Sequence, residues 1–75
     1  MTMTEFRDLI EGQGFQPFVI ETKGGRTFRV PHQGHYWLPE DFPECVVVAV
    51  RGQGLRVLSV DAIESVQLEH EQPVT

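Results

Sequence analysis

With a single cysteine, Cys45, this 75-residue chain has no intramolecular disulfide framework, and no Cys/His spacing supplies a zinc site in its place. Long hydrophobic runs are absent too. Nothing approaches the ~18 apolar residues needed to span a bilayer, and the N-terminus lacks the basic-then-apolar pattern of a secretory signal. Cytoplasmic residence is the expectation. Positive charge is scarce: six Lys and Arg stand against eleven Asp and Glu, a formal net charge of -5. That balance repels phosphate backbones unless the basic residues gather on one patch. Serine occurs only at Ser59 and Ser65, with no histidine spaced to act as its base, and no glycine-rich strand-to-helix turn cradles a phosphate. No catalytic residue, cofactor or enzymatic activity is expected.

A chain this short forms one domain, residues 1–75, and buries only about 60% of its unfolded surface. Without disulfide or metal, oligomerisation is the remaining stabiliser, so a homo-oligomer is expected. Three parts follow in order: a helix over about residues 2–12, a small barrel over about residues 17–69, and a frayed tail at residues 70–75.

The strongest structural signal runs from Phe18 to Val30. Phe18, Ile20, Phe28 and Val30 alternate with residues of mostly polar character, as in a half-buried β-hairpin. A two-residue Gly24-Gly25 loop would mix the two faces, whereas a three-residue Lys23-Gly24-Gly25 loop pairs Ile20 with Phe28 and Phe18 with Val30. The second register places Gly25 at a position of positive φ. Upstream, Met3, Phe6, Leu9 and Ile10 form one stripe of a short helix, Thr2 and Glu5 have capping-box spacing, and Gly12 or Gly14 ends it.

A second hairpin is expected from Cys45 to Ser59. A Gly52-Gln53 turn pairs Val50 with Leu55 and Val48 with Val57, and avoids setting Arg51 against Arg56. Val47 and Leu58 then form an outer apolar pair, the expected oligomer interface. Between the hairpins, Pro31 to Pro43 holds three prolines and a short third strand, His35 to Leu38. Asp61 caps one helical turn, and Ile63 to Leu68 is the last strand, with Val66 and Leu68 on one face. The fold class is therefore mainly β with an N-terminal helix, a five-stranded antiparallel small barrel of Sm-like or SH3-like type.

The segment Leu58-Ser59-Val60-Asp61-Ala62-Ile63-Glu64-Ser65-Val66 resembles the passage from the fourth to the fifth strand of the Sm-like family. The order of elements resembles that family as well. The resemblance implies a small barrel that assembles into rings, and in its bacterial host-factor branch RNA binding through a basic pair. Here Val60 and Asp61 stand at the positions of that pair, while Ala62 and Ile63 match. Separately, the Phe15 to Val30 stretch, with its Pro17-Phe18 and Gly25-Arg26 steps, is similar to small bacterial proteins and implies no function.

Four groups of residues are candidate sites. Tyr36, Trp37 and Phe42 concentrate in the proline-rich stretch and suit a protein or peptide groove. Lys23 and Arg26 flank one hairpin tip, Arg51 and Arg56 the other, and would form a nucleic-acid rim if the tips converged. His32 and His35, with Glu40 and Asp41, have the chemistry of metal ligands, but three-residue spacing on a strand sends the imidazoles to opposite faces unless Gly34 kinks the chain. No metal site is assigned to them. Cys45, flanked by Val46 and Pro43, reads as an inert, mostly buried thiol, and Glu64, Glu69 and Glu71 as a solubilising strip. The functional expectation is a self-associating interaction module that binds a protein or peptide, with a weak RNA-binding ring as the alternative.

Overall fold

The computed structural model describes residues 1–12 and 14–69; the expected tail at 70–75 lies outside these. Helix α1 spans Met3–Glu11. It is followed by β1 (Phe18–Thr22), β2 (Thr27–Val30), a 3-10 turn at Gln33–His35, β3 (Tyr36–Trp37), β4 (Cys45–Val50), β5 (Gly54–Ser59), a second 3-10 turn at Val60–Ala62 and β6 (Ile63–Leu68). The strands form two antiparallel three-stranded sheets, ordered β2-β1-β6 and β3-β4-β5. This corrects the expected five-stranded barrel: there are six strands, and no ladder among the described residues joins the two sheets into a closed ring. No described helix is long and apolar enough to cross a membrane.

Helix α1 starts as its capping box dictates. The Thr2 hydroxyl accepts from the Glu5 amide at 3.1 Å, and the Glu5 carboxylate accepts from the Thr2 amide at 3.3 Å. The chain leaves the helix through Gly12 in a right-handed conformation and then Gly14 at φ 84°. Phe6 and Ile10 are buried, Met3 is half-buried and Leu9 remains 44% exposed, so the buried stripe is narrower than the apolar one. Thr2→Ala removes the cap and is expected to cost about 1 kcal/mol, a loss of ~4–8 °C in a thermal unfolding scan.

The first hairpin adopts the register that keeps one face apolar. Phe18 lies opposite Val30 and Ile20 opposite Phe28, with Lys23-Gly24-Gly25 as the loop and Gly25 at φ 85°. In β6 a bulge near Glu64 changes the alternation, so that Ile63 and Val66 both turn toward the core although three positions apart. The core fills the space between the sheets and the helix: Phe6, Ile10, Phe18, Ile20, Phe28, Val30, Tyr36, Val46, Val48, Val60 and Ile63 are all buried. Phe18 is its aromatic centre, edge-on to Phe6 at 6.2 Å, to Phe15 at 6.1 Å and to Tyr36 at 5.6 Å between ring centroids.

The second hairpin departs from expectation by one residue. Val50 lies opposite Gly54, Val48 opposite Arg56, Val47 opposite Val57 and Val46 opposite Leu58. The connection is a three-residue loop, Arg51-Gly52-Gln53. The Gln53 amide donates to the Val50 carbonyl at 2.9 Å, and Gly52 and Gly54 both take positive φ, 81° and 77°. Positive φ at the third residue of Val50–Gln53 is the type II turn geometry, and Gly54 provides a second left-handed step back into the ladder. A slip of one residue sends every side chain of a strand to its other face. Leu58 accordingly packs on the core instead of pairing with Val47 outside, and Val57 takes the outer position.

A smaller correction concerns the turn before β6. Its N-cap is Ser59, whose hydroxyl accepts from the Asp61 amide at 3.3 Å. Asp61 sits inside the turn and caps nothing.

Candidate functional site

The outer face of the β3-β4-β5 sheet follows from the corrected register. Val46 and Val48 are buried, so Cys45, Val47 and Ala49 alternate to the other side of β4. Trp37 and Val57 lie directly opposite Val47 on its two neighbouring strands, and Leu55 lies opposite Ala49. A three-strand apolar row, Trp37–Val47–Val57, with Ala49 and Leu55 beside it, therefore faces away from the core. Trp37 is 48% exposed, Leu55 63% and Val57 67%. Three large apolar side chains this exposed on one sheet face form a candidate contact surface. At its side, β5 forms the edge of the sheet; it carries no proline and only one charged residue, Arg56, and so has few of the devices that block edge pairing.

Of the three aromatics expected to act together, Tyr36 is buried while Trp37 and Phe42 are exposed. The Tyr36 ring is stacked on Phe15 at 6.1 Å, and its hydroxyl donates to the Glu11 carboxylate at 3.3 Å. Burial, and then the Glu11 charge, push the Tyr36 phenol above its ordinary pKa, so it stays a donor that ties α1 to β3. Trp37 points to the outer face. Phe42, 62% exposed, belongs to a pair of turns in which its amide donates to Pro39 at 3.2 Å and its carbonyl accepts from Cys45 at 3.0 Å.

The basic residues also divide. The first hairpin tip sits against the second 3-10 turn, where the Lys23 amide donates to the Ala62 carbonyl at 2.8 Å. That turn adjoins the Cys45 end of β4, since the Val60 amide donates to the Glu44 carbonyl at 2.7 Å. Arg51 stands at the opposite end of β4, about 17 Å further along the strand. Lys23 thus lies toward the Cys45 end of β4 and Arg51 at the other, while Thr27, next to Arg26, lines one cavity together with Arg51. Arg56 lies along β5 and donates to Gln53 at 3.2 Å.

His32 and His35 do converge: the 3-10 turn at Gln33–His35 brings their rings edge to face at 5.2 Å. Glu40 and Asp41 do not join them. Among the described residues no group of three His, Cys, Asp or Glu side chains is placed to hold a metal ion.

An open cavity of about 470 Å³ lies between β2 and the tip of β4–β5, and a second of about 530 Å³ adjoins it along that tip; the two share His35, Ala49, Val50 and Arg51. Sequence reasoning missed this groove, as it missed the pairing on the outer side of the other sheet. There Arg29 reaches across β1 to the Glu69 carboxylate, with hydrogen bonds of 3.0 and 2.9 Å. The bond to Arg29 holds the Glu69 carboxyl below its usual range, and the bond and charge of Glu69 raise the guanidinium. Both partners are solvent-exposed, and the pair pins the end of β6 without building a buried site. The Cys45 thiol is free and half-buried on the outer side of β4, opposite Ser59.

No protein-family model, curated protein or solved structure matches this chain.

Proposed function

We propose that this protein is a non-enzymatic interaction module that self-associates through the outer face of its β3-β4-β5 sheet and the open β5 edge. The single observation that carries the reading is the exposed apolar row Trp37–Val47–Val57 beside that edge. The order of helix, hairpin, short strand, hairpin, 3-10 turn and closing strand supports taking the two sheets as an opened small barrel of Sm-like or SH3-like type.

Area decides how the surface is used. The six-residue β4 and β5 and the two-residue β3, about 4.8 Å apart, present a face of about 200 Å², well short of the ~800 Å² per partner of a stable interface. Face-to-face contact alone is therefore weak. Pairing of β5 with β5 of a second copy adds a ladder of backbone hydrogen bonds and brings the two apolar rows into one continuous sheet face. It also relieves the marginal stability of so small a core.

Light scattering behind a sizing column tests this directly. A native mass at a multiple of the 8.5 kDa chain, insensitive to salt because the contact is apolar and backbone-mediated, is the expected result. A mass of one chain at every concentration up to the millimolar range overturns the proposal.

A further inference from the structure

We infer that the groove between β2 and the β4–β5 tip is a second binding site, one that takes an extended acidic peptide segment by strand addition to the open edge of β2. The groove adjoins the self-association face, sharing Ala49 and Leu55 with it, but the β2 edge that the inference uses takes no part in that face.

Backbone geometry comes first. In the sheet ordered β2-β1-β6, β2 is an edge. The Thr22 amide donates to the Arg26 carbonyl at 2.8 Å, which makes Thr22–Arg26 a hydrogen-bonded pair. Such pairs alternate along an antiparallel ladder, so Phe28 and Val30 turn their backbone groups toward β1, while Thr27 and Arg29 turn theirs away. The cavity of about 470 Å³ is lined by Thr27, Phe28 and Arg29 on this side and by Ala49, Val50 and Arg51 on the other. The outward donors and acceptors of β2, which have no strand partner among the described residues, thus lie beside a half-open channel. β2 offers four residues, about 13 Å of strand, for such pairing.

Charge selects the occupant. Ten of the eleven Asp and Glu residues are among the described ones, and none of these ten lines either cavity. The ionisable groups there are Arg29, Arg51, His32 and His35, over an apolar floor that includes Phe28, Pro31 and Val50. Arg29 is held by Glu69 and contributes chiefly its backbone. Arg51 makes no ion pair among the described residues and stands beside His35 at the junction of the two cavities. A strand laid against β2 places alternate side chains toward Arg51 and the imidazoles, where carboxylates gain charge-assisted hydrogen bonds, and the remaining ones over the apolar floor. The channel's backbone complementarity favours a peptide over RNA, which has no ladder to form with β2.

The test is selection followed by measurement. An octapeptide display library is panned at low salt over the immobilised full chain, and an enriched peptide is labelled with fluorescein and titrated by anisotropy. Enrichment of Asp and Glu at alternate positions is expected. Arg51→Glu is expected to weaken the labelled peptide at least tenfold, and Thr27→Pro, which removes an outward N–H without touching the β1 ladder, to abolish binding with an unchanged circular dichroism spectrum. Failure to enrich acidic sequences overturns the inference, as does an enriched peptide indifferent to Arg51→Glu. A uridine oligomer that binds through Arg51 where no acidic peptide is enriched overturns it in favour of nucleic acid. Loss of binding with Val57→Glu but not with Thr27→Pro would assign the peptide to the self-association face instead. Native mass, unchanged by Arg51→Glu, keeps the two surfaces distinguishable.

Discussion

Val57→Glu is expected to convert the assembled protein to single chains while leaving its fold intact. Val57 is 67% exposed on an edge strand, so the substitution creates no cavity and buries no charge in the isolated chain. In an assembly built on β5, however, it sets a carboxylate into an apolar face against Val47 and its counterpart. Burying an ionised group without a partner costs several kcal/mol, and in a two-fold interface each substitution acts on both sides of the axis. A rise of at least a hundredfold in the dissociation constant follows, about 2.8 kcal/mol or more. The measurement is native mass across a dilution series, with circular dichroism to show that the fold survives. Leu9→Glu is the control: it is also an exposed apolar position, but it lies on α1, away from the sheet, and should leave the mass unchanged. A Val57→Glu protein of parental mass removes this face from consideration.

That prediction rests on a register the sequence did not disclose, and the contrast between the two hairpins shows why. In Phe18 to Val30 only one face is apolar, so a single register satisfies burial and the three-residue loop follows from it. In Cys45 to Val50 both faces are apolar, and every register of β5 buries something. The burial rule then cannot choose, and the decision passes to the turn. Glycines at 52 and 54 supply two positive-φ positions, which suit the three-residue Arg51-Gly52-Gln53 loop as well as either two-residue turn. Comparing only the two-residue turns by their charge pairs leaves out the arrangement the chain adopts. The outcome moves Leu58 inward and Val57 outward, and with them half of the expected interface.

The candidate site was legible in its composition and hidden in its parity. Trp37 and Tyr36 stand out in any reading of the proline-rich stretch. Which of them faces the core depends on the phase in which the chain leaves the 3-10 turn at Gln33–His35, and an irregular turn carries no period from which to extrapolate. The same turn brings His32 and His35 together. The Arg29–Glu69 pair was out of reach for a related reason: its partners are forty positions apart and meet across β1, so the contact exists only once the β1–β6 register is known.

Phe18→Ala is expected to be the most damaging single truncation in this chain. Phe18 is fully buried and packs edge-on against Phe6, Phe15 and Tyr36 at once, joining the helix, the segment leading into β1 and the second sheet. Removing a buried phenyl ring leaves a cavity and costs about 3–5 kcal/mol. A domain of 75 residues has about 4–11 kcal/mol of total stability, so this one change takes away between about a quarter and all of it. At ~4–8 °C per kcal/mol for a domain of this size, the midpoint of thermal unfolding falls by at least about 12 °C. Leu9→Ala, on the same apolar helix stripe but largely exposed, should move it by less than about 3 °C, a sub-kcal/mol surface effect. Urea titrations of the two variants distinguish the cases further, because a core cavity lowers the midpoint concentration without changing the slope. If the protein is assembled, the Phe18→Ala midpoint also rises with protein concentration, since association couples to the folded chain alone. A Phe18→Ala protein as stable as Leu9→Ala would mean that the packing of α1 and both sheets around this ring is wrong.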